Sequence, residues 1–221
     1  MDGLELFIKY ALPPNVLGYC GPKFLACDKS SLLQFEGAVP YLRLIAQANN
    51  IKDEFDARVV EAYWLGNDLL KKVSDKNLYG NIENRFKKRM SGKDWSWLVA
   101  ESIREAKPHH VFHVFDIYRR AGLMRSGAIE KVLETMDNCR ISWGSMTDEG
   151  FVEYSPLVFK NNKLDFGEKT EKKLISLDST IKVGDEVSFH WNYICDKISP
   201  RQKQNLTFWT KYHLDITNKT I

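Results

Sequence analysis

The chain has 221 residues, a net charge of +3, 43% hydrophobic residues and 28% charged residues. That balance is ordinary for a globular protein and excludes a disordered or fibrous chain. The charge is too small, and its Lys/Arg runs too sparse, for a nucleic-acid partner to be expected. No apolar run reaches the length of a membrane span, and the N-terminal stretch lacks the basic region and long apolar core of a signal peptide. The expected setting is cytoplasmic, with no membrane partner and with Cys20, Cys27, Cys139 and Cys195 as reduced thiols.

The first stretch, GLELFIKYAL, sets Leu4, Phe7, Ile8 and Ala11 on one helical face, and Pro13-Pro14 is expected to end it. A loop punctuated by glycine and proline follows and carries Cys20 and Cys27. Their spacing is wider than the paired ligands of zinc ribbons, so each reads as a structural cysteine. The backbone around Cys20 and Gly21 is unusual, however, and such loops often carry function. Helical patterns then cover Ser31 to Asn49, with a break from Gly37 to Pro40, and Asp53 to Val73, where Phe55, Val59, Ala62, Tyr63 and Leu70 recur at helical spacing. Further helices are predicted at Asp75 to Met90, Trp95 to Ala106, Val111 to Ala121 and Ser126 to Met136. There is no internal repeat.

His109, His110 and His113 follow Pro108 at the start of one of these helices. His109 and His113 stand four apart, the spacing of helical zinc ligands, but no glutamate of the metalloprotease type lies between them. Packing and hydrogen bonding make the plainer reading, and metal or cofactor contact is the alternative. Asp116, Arg119 and Arg120 on the same helix read as salt-bridge residues or ligand-orienting ones.

From Cys139 onward the pattern changes to alternation. Ile141 and Trp143 oppose Arg140 and Ser142. Val152, Tyr154, Leu157 and Phe159 continue the alternation, with Pro156 at a bend. NNKLDFGEK supplies turn residues, Leu174, Ile175 and Leu177 follow, and Val183-Gly184-Asp185 makes a tight turn before a last strand from Val187 to Ile194. Ser199-Pro200 starts a terminal helix, with serine as cap and proline at the first helical position. The expected fold is α+β. An N-terminal α-helical bundle, residues 1–136, precedes a small OB-like β-barrel with a C-terminal helix, residues 137–221.

Within the second part, Cys139 is followed by Gly144 after four intervening residues. Val183-Gly184-x-x-Val187-x-x-His190 then leads into an apolar run and a helix. This pattern resembles the HypC-type (HupF-type) chaperones of NiFe-hydrogenase assembly. Two departures are visible: Cys139 is internal rather than N-terminal, and Trp143-Gly144 stands where the family has Pro-Gly. The resemblance implies a HypC-like barrel in which Cys139 and His190 hold an iron fragment carrying cyanide and carbon monoxide. It also implies a hydrogenase large subunit or maturation scaffold as partner, with Trp143 and Gly144 beside the site. Across the whole chain, GYCGP, EAYWLGN, HHVFHVFDIYRR and CRISWG resemble an uncharacterised prokaryotic family, DUF6390, which brings no activity with it.

The resulting expectation is a metallocentre-assembly chaperone or accessory protein. Two alternatives stand beside it. One is an enzyme whose site between the two parts uses Cys20 and the His109/His110/His113 cluster. The other is a metal-free interaction module. No Gly-rich phosphate loop, Ser-His-Asp order or paired carboxylates mark a self-contained catalytic site.

Overall fold

Helix α1 (Gly3–Val16) is capped by Asp2, whose carboxylate accepts the Glu5 amide at 2.8 Å. It continues through Pro13 and Pro14, where the sequence predicted its end. Proline has no amide hydrogen, so the carbonyls four residues earlier, on Lys9 and Tyr10, lose their helical donors and stay open to others. The chain is described from a computed structural model covering residues 2–19, 21–23, 28–118 and 129–221. Cys20, Cys27, Arg119, Arg120 and the predicted helix start at Ser126 lie outside the described residues.

After α2 (Lys29–Leu32), α3 (Val39–Ala48) and α4 (Ala57–Trp64), the helix expected to run to Val73 stops early. Gly66 sits at φ +83°, and the Trp209 indole fills the space that a Cβ would need. A 3₁₀ turn (Asp68–Lys72) resumes the path, followed by α5 (Asp75–Phe86), α6 (Gly92–Trp97) and a π-helical turn (Leu98–Ser102). Helix α7 (His110–Phe112) runs directly into a second π-helical segment (His113–Tyr118), and α8 (Ile129–Cys139) closes the helical part.

The strands are β1 (Ser142–Asp148), β2 (Phe151–Tyr154), β3 (Leu157–Lys160), β4 (Lys163–Phe166), β5 (Thr170–Lys173), β6 (Ile175–Ser176), β7 (Glu186–His190) and β8 (Tyr193–Lys197). Six of them form a curled half-barrel in the order β5-β2-β1-β7-β8-β6, and β3 and β4 pair separately. Helix α9 (Pro200–Asn218) begins with a capping box between Ser199 and Gln202 and carries Pro200 in its first turn. The α+β class matches expectation. Two local readings are corrected. The predicted strand Val187–Ile194 is a hairpin that turns at Trp191-Asn192, with Trp191 at φ +57°. Cys139 ends α8 rather than opening a strand.

The main core crosses from one part to the other. Phe7, Tyr10, Leu42, Val59 and Trp64 share it with Ile141, Cys195, Ile198, Leu206 and Trp209. Each such side chain stabilises the fold by roughly 1.5–3 kcal/mol relative to exposure. Helix α1 lies against the β7–β8 hairpin, where the Tyr10 hydroxyl meets Ser188 Oγ at 2.8 Å and Lys9 pairs with Asp196 at 2.7 Å. The boundary expected at 136/137 falls inside α8. Among the described residues no helix is long and apolar enough to cross a membrane.

Candidate metal centre

Three element ends meet beneath α1. His110 is the first residue of α7, Cys139 the last of α8, and His190 the last of β7. One side-chain donor atom from each lies within 4.8 Å of the other two. Their relative exposures are 6%, 6% and 1%, deep enough for desolvation to govern their protonation. Burial pushes His190 down to about 4. It pushes His110 well below the usual histidine range, and the neighbouring His190 adds to the shift. Both imidazoles are therefore neutral lone-pair donors at physiological pH.

Helix carbonyls set their tautomers. His190 Nδ1 lies 2.7 Å from the Tyr10 carbonyl, which only accepts, so Nδ1 carries the proton and Nε2 the lone pair. That carbonyl is open because Pro14, four residues on, has no amide hydrogen to give it. The Cys139 backbone also lies beside the ring, but His190 Nε2 is buried and makes no hydrogen bond of ordinary geometry among the described residues. His110 donates from Nε2 to the carbonyl of Cys139 at 2.8 Å, one of the acceptors left over at the end of α8. Its Nδ1 lies 3.2 Å from the Tyr63 hydroxyl, which is also 3.3 Å from the Gly37 carbonyl. Tyr63 has one proton for two acceptors, so turning it toward Gly37 releases the His110 lone pair.

A cavity of about 260 Å³ adjoins the three residues. Tyr19, Phe35, Tyr63, Trp64 and Trp191 supply its aromatic walls. Tyr19 and Trp191 stack in parallel, with centroids 3.9 Å apart and planes 8° apart. The Trp191 amide donates to the Asn138 carbonyl at 2.8 Å, which pins the hairpin turn beside Cys139. Gly21 lines the same cavity at φ +89°, where a Cβ would run into the Phe35 ring. The α8–β1 corner that aims Cys139 is itself fixed by Arg140, 1% exposed, which donates to Asp137 at 2.9 Å and to the Ser155 carbonyl at 2.8 Å. Asp137 also accepts from the Tyr154 hydroxyl and the Leu157 amide.

The sequence paired Cys139 with His190, and the structure brings them together with His110 as a third donor. His109 and His113 take different partners. His109 is the N-cap of α7, its Nδ1 accepting the Val111 amide at 3.3 Å, and its ring stacks on His213. His113 opens the π-helical segment, with Nδ1 3.1 Å from the Tyr41 hydroxyl. Four-residue spacing assumes one continuous α-helix, which this stretch is not. Burial pushes His109 and His113 each down to about 3. Trp143 and Gly144 lie on β1 and line a separate depression with Lys203 and Lys211. A Cβ on Gly144 would meet the Glu153 carbonyl, so that glycine serves strand packing. Cys20 lies outside the described residues, and its neighbours Tyr19 and Gly21 line the cavity. Sequence reasoning missed Pro14, Tyr63 and Trp191. The one available signal was Asn192, a turn residue directly after Trp191.

These features define an α+β protein with a buried histidine–cysteine donor set at the edge of an aromatic cavity. The chain belongs to a family of unknown function, DUF6390, whose model matches residues 1–221. No curated protein and no solved structure matches it. The resemblance of the second part to HypC-type chaperones gains no support from these comparisons.

Proposed function

We propose that the protein binds one soft-to-borderline transition metal, or a small metal fragment, through Cys139, His190 and His110, with a coordination position left facing the cavity. The observation that carries this reading is His190 Nε2: a buried lone pair without a partner, its tautomer locked by the Tyr10 carbonyl, beside a cysteine and a second histidine. Metal-ligating histidines typically donate their other N–H to a carbonyl or carboxylate in this way. Thiolate with two imidazoles suits zinc, copper or iron, and three protein ligands leave the fourth position of a tetrahedral site open. A cysteine–histidine nucleophile is disfavoured. Burial holds His190 near 4, which suits a neutral ligand better than an imidazolium stabilising a thiolate.

In the assembly reading, the cargo is an iron fragment carrying cyanide and carbon monoxide, and the partner is a hydrogenase large subunit or maturation scaffold. The residue pattern from Cys139 to His190 supports that reading, and the proximity of the two side chains is consistent with it. Anaerobically purified protein loaded with cobalt(II) tests the metal site. One equivalent should bind with a thiolate charge-transfer band, and Cys139→Ser should lose that band while the circular dichroism spectrum is kept. Absence of the band in folded wild-type protein would falsify the reading. Infrared bands of cyanide and carbon monoxide on protein isolated from cells that make the fragment test the narrower assembly reading.

A further inference from the structure

The cavity wall holds two donors with nothing to receive them. Trp64 and Trp191 both line it, and the Nε1 of each is buried without a partner. Leaving a buried N–H without a partner is costly, so two beside one small cavity call for an acceptor. No carboxylate, lysine or arginine is among the described lining residues. Among the described residues neither N–H meets an acceptor of any kind, and a ligand can supply one.

A second depression shares Gly37 and His113 with the cavity and is lined by Arg43, Arg85 and Arg89, against Glu36. A Cβ on Gly37 would stand 3.7 Å from His113 Nε2 and meet nothing else within 4 Å, so the wall between the two spaces is thin there. Arg43 is engaged with Glu54 at 3.6 Å, and Arg85 donates to the Glu36 carbonyl and to Asn81. Arginines clustered around a concave approach raise the local concentration of anions.

We infer that the cavity takes a small inorganic or organic anion, completing the coordination of the metal and accepting hydrogen bonds from Trp64 and Trp191, and that it is drawn in from the arginine-lined side. This rests on the metal reading for the charge that balances the anion and the Cys139 thiolate. Azide is a suitable probe, because it fits the cavity, binds metals end-on and offers a free acceptor atom. Azide added to cobalt-loaded protein should shift the visible bands with saturation. Trp64→Phe and Trp191→Phe, each checked by circular dichroism, should weaken azide about tenfold while cobalt stoichiometry stays at one. Arg89→Ala, on the surface, should slow azide association and flatten its salt dependence.

Azide affinity unchanged in both tryptophan variants would overturn the inference while leaving the metal site standing. Neutral pyridine binding more tightly than azide to the wild type would also overturn it, and needs no variant. If the wild type fails to take up cobalt, the metal reading is the one that fails. Thiocyanate titrated calorimetrically into the metal-free chain then decides: binding that Trp191→Phe weakens sustains an anion pocket, and no binding removes it.

Discussion

Two buried histidine clusters sit a few residues apart in this protein and are built in opposite ways. In one, His110 and His190 meet Cys139, and carbonyls of α1 and α8 fix both tautomers. In the other, His109 and His213 stack in parallel, 5.8 Å between centroids and 7° between planes. There the His109 ring lies against the Leu65 backbone, while both ring nitrogens of His213 and the hydroxyl of Thr210 are buried without partners among the described residues. Among the described residues no cysteine joins this second group. Buried histidines are thus common to both clusters, and what separates them is that only in the first do donor atoms of two histidines and a cysteine lie within 4.8 Å of one another among the described residues.

The largest expected difference is in metal affinity. Cys139→Ala should cost more than about a hundredfold, whereas His213→Ala should change affinity by less than about twofold. Cobalt titrations of the two variants check this, and comparable losses would erase the distinction between the clusters. The next effect separates them by acid. His213 is held well below the usual histidine range by burial first, then by His109 and Lys107, which face it. A histidine whose folded pKa is depressed contributes no penalty above its unfolded value near 6.5, and it destabilises the fold as pH falls below that. Between pH 6.5 and 5 that loss is about 2 kcal/mol for one fully buried group. In urea melts across this range, His213→Phe should flatten the stability profile by that amount, and an unchanged slope would place the acid sensitivity elsewhere.

The smallest effect tests tautomer control directly. Pro14→Ala restores an amide hydrogen that competes with His190 for the Tyr10 carbonyl. Metal affinity should fall about tenfold while the melting temperature holds or rises, because an internal helix proline is lost. A fall in both would mean that Pro14 acts through packing alone.

Much of this architecture is legible in the sequence. The helix-to-strand change near residue 139 and the terminal helix with its Ser199-Pro200 start follow from local pattern, whereas the pairing of Cys139 with His190 is implied only by a family resemblance. What escapes is set by contacts between distant segments. The predicted helix to Val73 breaks because Trp209 occupies the space beside Gly66. The His109–His113 pairing assumes a regular α-helix, where the chain has a cap followed by a π-helical segment. Pro13-Pro14 reads as a helix stop, yet those residues stay inside α1, and the hydrogen missing from Pro14 matters through His190, which bonds the Tyr10 carbonyl from 180 residues along the chain.

That long-range bond has a thermodynamic corollary. The donor set is gathered from α7, α8 and β7 and braced by α1, so a ligand there binds only when the whole circuit of chain is closed. Occupancy and global folding are then one equilibrium. An ion present at a hundredfold excess over its dissociation constant would deepen the native well by about 2.7 kcal/mol. Cells short of that ion would hold a chain that is easier to open and degrade, which makes the abundance of the protein itself a gauge of supply.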